Sequence, residues 1–152
     1  TEPDMVPAEI LEKVHTKELL TFLETGWEEW QKLPGAGPEV VPNVHALNSV
    51  RTYPKHMIGK AGWHMGDTSA PLGKNSWHAT LGAASAAYEA ARAVQEGDDT
   101  AYALCRPPGH HSSADVGAGH GMMNCAGVAV AQAKPTHAHR AGRGSPRPYR
   151  SA

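Results

Sequence analysis

Apolar positions recur at helical spacing over residues 9–31. Ile10, Leu11 and Val14 make a first turn, and Leu19, Leu20, Leu23, Trp27 and Trp30 continue the stripe at intervals of three and four. One amphipathic helix is predicted there, stopped by the breaker run Leu33-Pro34-Gly35-Ala36-Gly37-Pro38. From 34 to 73 no period is sustained, and Pro42, Pro54, Gly59, Gly62 and Gly66 punctuate the stretch. An irregular segment of that length is rare in a compact domain unless it is functional or makes an interface. Residues 76–96 predict a second helix: Leu81, Ala84, Tyr88, Ala91 and Val94 share a face, and Gly97 stands where a C-terminal cap belongs. The short apolar run Thr100–Cys105 then predicts a buried parallel strand, and a small-residue helix follows at 125–133.

Between that strand and that helix lies Arg106-Pro107-Pro108-Gly109-His110-His111, with Gly119 and Asn124 downstream. Successive side chains of an extended backbone point to opposite sides, so adjacent histidines serve one site only on an irregular loop. Two prolines fix φ and remove two backbone donors, while Gly109 opens conformations closed to other residues. In open α/β sheets the loop at a strand's carboxyl end is where ligands bind. Paired imidazoles on such a loop point to proton transfer or metal chemistry.

The 152 residues suit a single domain, and 40% apolar with 19% charged residues is ordinary for a globular chain. A net charge of −1 gives no reason to expect nucleic acid or an anionic membrane as partner. No apolar run is long enough to span a bilayer. The start, Thr1-Glu2-Pro3-Asp4, shows no signal peptide and no initiator Met, as in a processed or incomplete chain. Cys105 and Cys125 make no disulfide framework, which fits a reducing cytoplasm. A thiol hydrolase built on either cysteine is the weaker reading, because Cys105 at a strand end packs as a small apolar residue. Gly117-Ala118-Gly119-His120-Gly121 lacks a following phosphate-binding pattern and reads as a flexible loop.

Composition changes abruptly after Lys134. Residues 135–152 hold Arg140, Arg143, Arg147, Arg150 and three prolines, with no acidic residue and no Val, Ile, Leu, Met or Phe. Such a segment cannot make a core strand. The expected organisation is a folded part at 1–134 followed by a basic Pro/Arg/Gly-rich tail, disordered or out of frame.

The segment from Ala101 to Gln132 resembles the zinc-dependent histone deacetylase superfamily, which reads R-P-P-G-H-H, a short loop, G-[FY]-C-x-x-N, then a small-residue helix. The equivalents here are Arg106 to His111, Gly119 to Asn124, and Ala126 to Ala131. Val14-His15, Asp67-Thr68 and Trp77 look most like the bacterial acetylpolyamine amidohydrolase branch. The resemblance implies an α/β fold, the N-terminal part of a doubly wound, mostly parallel sheet of the arginase/deacetylase type, over a partial histone deacetylase-like domain at 1–134. It implies Zn²⁺-dependent hydrolysis of the acetyl amide of an acetylated polyamine or acetyl-lysine. In the family Asp, His and Asp hold the zinc, and a distant tyrosine steadies the oxyanion. Carried over, His111 moves the proton, His110 orients the attacking water, and Gly119 lines the tunnel for the acetylated chain.

Three departures follow from the same resemblance. His120 stands where the tunnel has an aromatic wall, and Gly121 where it has a cysteine. The D-x-H ligands, the second Asp and the tyrosine fall beyond Lys134 in the family pattern and have no equivalents here; His137-Ala138-His139 offers only two weak ligands. Zinc is therefore not expected to be retained, and the alternative is an inactive truncated fragment. The 34–73 stretch corresponds to an insertion that in this branch helps form a homodimer and narrows the entrance.

Overall fold

The computed structural model describes residues 3–49 and 52–133; the predicted tail lies outside them. Five α-helices appear among these residues: α1 (Ala8–Leu11), α2 (Lys17–Gln31), α3 (Met57–His64), α4 (Ser76–Glu96) and α5 (Cys125–Ala133). A short 3₁₀ turn occupies Leu47–Ser49. None of the helices is long and apolar enough to cross a membrane.

The helix predicted over 9–31 is two helices. After α1 the chain makes turn bonds, His15 N–H to the Leu11 carbonyl among them, and Thr16 is extended at φ −69° and ψ 150°. Thr16 then caps α2, its Oγ1 accepting from Leu19 N–H at 3.3 Å. The break is where the chain docks elsewhere: Thr16 N–H donates to the Ala114 carbonyl at 2.8 Å. A tertiary bond there overrides local periodicity.

Helix α3 was not expected within 34–73. Its buried face is Met57, Ala61, Gly62 and His64, too small and too polar to register as an apolar stripe. A Cβ at Gly62 would collide with the Val44 carbonyl, so close approach rather than side-chain bulk packs this helix. Helices α4 and α5 fall where the pattern puts them, with Gly97 closing α4 at φ +126°. Asn124 caps α5, its Oδ1 accepting from Gly127 N–H at 2.8 Å.

The core joins Leu19, Phe22 and Leu23 of α2 to Met57 and Ala61 of α3. Met65, Leu72, Ala84, Met122, Met123 and Val128 belong to it as well, together with Val6, Leu11, Val40 and Ala70. At Gly26 a Cβ would sit 3.1 Å from Leu72 Cδ2, so α2 lies close against that loop.

The strand predicted at 100–105 does not form. Those residues are unpaired coil, with Tyr102 87% and Leu104 84% exposed. A parallel strand is stabilised by ladders on its neighbours, and none of the described residues supplies one. Among the described residues β-structure is confined to isolated bridges: Val40 with Leu72, Met65 with Gly117, and Ala118 with Gly121. An apolar groove of about 460 Å³ is consequently open between α4, α5 and this segment, walled by Ala87, Val94, Ala103, Ala129 and Val130.

Candidate active site

Residues 106–124 contain no helix and no strand beyond the isolated bridges, yet their shape is tightly prescribed. The Arg106–Pro107 peptide is cis. The first half of the loop presses on the second with no room for side chains between. A Cβ at Gly109 would strike the Met123 carbonyl, and one at Gly121 the Pro108 carbonyl. The cysteine expected at position 121 would therefore collide here, and glycine is what this loop spacing admits. Gly119, at φ +58°, lies against the His111 ring, where any Cβ would overlap Cδ2. His120 follows at φ +69°, an uncommon conformation for a residue with a side chain.

His110 and His111 lie side by side, their ring centroids 4.2 Å apart at an interplanar angle of 50°. Both are solvent-exposed and face a cleft of about 530 Å³ shared with Asp67, Ser69, Ala118, Gly119 and His120. His120 and Ser69 also line a neighbouring cleft of about 550 Å³ that reaches Arg106, Pro107 and Met122. All four residues singled out from the sequence, His110, His111, Gly119 and His120, thus border one concavity.

Two residues that motif reading left without a role here hold the loop in place. Asp67 Oδ2 accepts Gly119 N–H at 2.8 Å, and its Oδ1 accepts Ser69 N–H at 2.8 Å. The Gly119 and Ser69 amides, in that order, hold the Asp67 carboxyl below the usual carboxylate range, with His120 adding a smaller effect. His15, 3% exposed, grips the other end: its Nε2 accepts Asn124 N–H at 3.0 Å. Nε2 must then be unprotonated, so Nδ1 carries the hydrogen and donates to the Ala114 carbonyl at 3.3 Å. Burial lowers the His15 pKa, consistent with this neutral tautomer. The chain's own signals were His15 beside the Thr16 cap and the Asp67-Thr68-Ser69 turn.

His64 repeats the arrangement under the loop. Nδ1–H donates to the Asp115 carbonyl at 2.7 Å, and Nε2 accepts from the Tyr53 hydroxyl at 2.8 Å. Burial again lowers its pKa, and burial pushes the Tyr53 hydroxyl up to about 12. Ser112 Oγ donates to the Gly121 carbonyl at 3.1 Å, and Asn124 Nδ2 to the Ser112 carbonyl at 3.3 Å. Met65 and Gly117 are bridged as well, through Gly117 N–H to the His64 carbonyl and Gly66 N–H to the Gly117 carbonyl.

A metal fits poorly with what is present. Among the described residues no group of three or more His, Cys, Asp or Glu side chains could hold an ion. The His137-Ala138-His139 pair lies outside those residues.

Comparison with known proteins matches this arrangement to a family. A histone deacetylase domain model covers residues 1–142. Acetylpolyamine amidohydrolase of Burkholderia pseudomallei (strain 1710b) is 36% identical over 140 residues, which is 90% of this chain and 40% of that protein. The acetylpolyamine amidohydrolase of Mycoplana ramosa is 30% identical over 118 residues, 78% of this chain and 35% of the relative. The crystal structure of acetylpolyamine aminohydrolase from Burkholderia pseudomallei superposes with a TM-score of 0.80 at 35% identity, covering 93% of this chain and 39% of that one. The chain therefore spans about 40% of the length of the B. pseudomallei relative.

Proposed function

This chain belongs to the histone deacetylase domain family, and on that premise we propose that it carries the proton-transfer half of a site that hydrolyses the acetyl amide of an acetylated polyamine. Acetyl-lysine is the alternative substrate. The observation that carries the reading is the pair of imidazoles, 4.2 Å apart on the wall of a shared cleft. His111 takes a proton from the attacking water as the new C–O bond forms, and hands one to the amine as the C–N bond breaks. Acetate and free amine are the products. His110 orients that water. Gly119 keeps the passage beside His111 open, since any side chain there would overlap the ring. His120, a polar ring at the cleft edge, contacts the alkyl chain less favourably than an aromatic carbocycle would.

The family is zinc-dependent, but the described residues of this chain do not assemble a ligand set, so no step is routed through the metal. That same observation favours the second reading, an inactive fragment. A second copy docking through residues 34–73 belongs to the proposal too, supported by Val41, Val44 and Ile58 at 42%, 63% and 55% exposure. A reducing cytoplasm suits the two free thiols.

The test joins residues 1–133 to the remaining portion of the Burkholderia pseudomallei relative and follows acetate release from acetylspermidine and an acetyl-lysine peptide. Turnover with a preference for acetylspermidine is expected. A strong peptide preference overturns the substrate ordering, and a folded, zinc-loaded chimera without turnover overturns the proposal. Zinc content and turnover of the 152-residue chain alone separate the two readings. Stoichiometric zinc with activity would exclude the inactive fragment.

A further inference from the structure

Two buried imidazoles grip adjacent carbonyls of the site loop. Nδ1–H of His15 donates to the Ala114 carbonyl at 3.3 Å, and Nδ1–H of His64 to the Asp115 carbonyl at 2.7 Å. Each ring keeps Nε2 as an acceptor, but the two partners differ in kind. His64 takes a hydrogen from the Tyr53 hydroxyl at 2.8 Å, and His15 takes one from the Asn124 backbone amide at 3.0 Å. A hydroxyl can turn and accept instead of donating; a backbone amide only donates.

We infer that His15 is an acid-sensitive latch: when its ring takes a proton at Nε2, the bond to the Asn124 amide is lost and the C-terminal end of the 106–124 loop comes free with the first turn of α5, while the His64 clamp holds. The inference stands independently of the hydrolytic reading. A proton on Nε2 sets one donor against another, and the amide has no second role to adopt. Nδ1–H donates in either state, so Ala114, whose carbonyl Thr16 N–H also holds at 2.8 Å, stays bound. The release is therefore at Asn124. That residue caps α5 by accepting Gly127 N–H, and its Nδ2 donates to the carbonyl of Ser112, the neighbour of His111. Freeing it loosens both the start of the helix and the chain beside the paired imidazoles. A charged ring at the amide end of α5 also meets the positive pole of that helix.

The surroundings of the two rings deepen the asymmetry. Around His15, burial is opposed only by the backbone carbonyls of Ala114 and Ser113. The charged residues flanking it in sequence, Glu12, Lys13, Lys17 and Glu18, are exposed, and Lys17 pairs with Glu12 at 3.4 Å. At His64 the carboxylates of Asp115 and of Glu18 on α2 favour a charged ring, and Lys60 on its own helix opposes one. Charging His64 thus keeps both hydrogen bonds, with the Tyr53 hydroxyl reversed, and meets two carboxylates. Charging His15 loses a bond and meets none. Burial holds the His15 ring below the ordinary 6.5, so the latch opens below that pH.

The experiment follows the 152-residue chain by heteronuclear NMR from pH 7.5 to pH 5, reading the His15 ring and amide hydrogen exchange corrected for its intrinsic pH dependence. Protection at Asn124 and Gly127 should fall about tenfold per pH unit, from the ordinary imidazole value down to the midpoint of the His15 ring. Amides of α4 should keep theirs. His15→Gln, whose side-chain carbonyl can accept but cannot titrate, should abolish the pH response at Asn124; His64→Gln should leave it in place. The native-chain titration decides the matter even if a variant fails to fold. Charging of the ring with Asn124 protection unchanged would overturn the inference. So would equal quickening across α4, a ring that stays neutral until the whole chain unfolds, or an unaltered response in the His15→Gln chain.

Discussion

Two neighbouring stretches contrast sharply. Residues 100–105 have the composition of a strand and form no ladder, whereas residues 106–124 have the composition of a loop and are densely bonded. The difference lies in who supplies the partners. For the loop they are all within the described chain: Asp67 takes the Gly119 amide, His15 the Asn124 amide, His64 the Asp115 carbonyl. For the strand they are not, and Tyr102 and Leu104 face solvent. β-propensity describes fitness for a pleated, half-buried surface, and means little where that surface is missing.

The sharpest way to break the contrast is to put a side chain where the loop has none. Gly121→Ala would drive a Cβ into the Pro108 carbonyl, and relief requires backbone movement. We expect a loss of about 3 kcal/mol, the upper part of the overpacking range. Urea unfolding with an unchanged midpoint would show that the two halves of the loop are not pressed together.

His15→Ala comes next. It leaves the Asn124 amide without its acceptor, costing about 1–3 kcal/mol. Hydrogen exchange should quicken at Asn124 while α4 keeps its protection; uniform quickening would argue for a general packing loss instead.

Acidity probes the same clamps without mutation. His15 and His64 are held neutral by burial, with folded pKa values below the ordinary 6.5. The unfolded chain therefore binds more protons as pH falls, and stability drops with it. Each group contributes a slope of up to about 1.4 kcal/mol per pH unit, starting near pH 6.5 and ending at its folded-state value. Urea midpoints at pH 7.5 and pH 5.5 measure this, and a flat profile contradicts the neutral tautomers.

The smallest effect belongs to the other region. Tyr102→Ser and Leu104→Ser should each change stability by less than about 0.5 kcal/mol, because both side chains are exposed. A large loss from either would mean the segment is packed after all.

These differences also explain what could be read from the sequence. Helices α4 and α5 were legible because Leu81, Tyr88 and Val128 stabilise them through local spacing, and Gly97 and Asn124 end or start them by their own chemistry. Helix α3 was not, because Gly62 and Ala61 pack by being small and His64 by hydrogen bonding. The α1–α2 break was hidden in Thr16, whose amide bonds a residue far away in sequence. In the site, the tandem histidines stood out as a motif. Asp67 and His15 act through the Gly119 and Asn124 amides, partners far away in sequence, so the local turn and cap they stand in say nothing of that role.

The most direct measurement bears on His111. In the chimera carrying residues 1–133, His111→Ala should lower kcat by about 10²–10⁴-fold, the range of a lost general acid–base group, with zinc content unchanged. His110→Ala should also be severe, since an unoriented water loses its attack geometry. Near-normal turnover in the His111 variant, or loss of the metal in place of loss of turnover, would contradict the role assigned to the paired imidazoles.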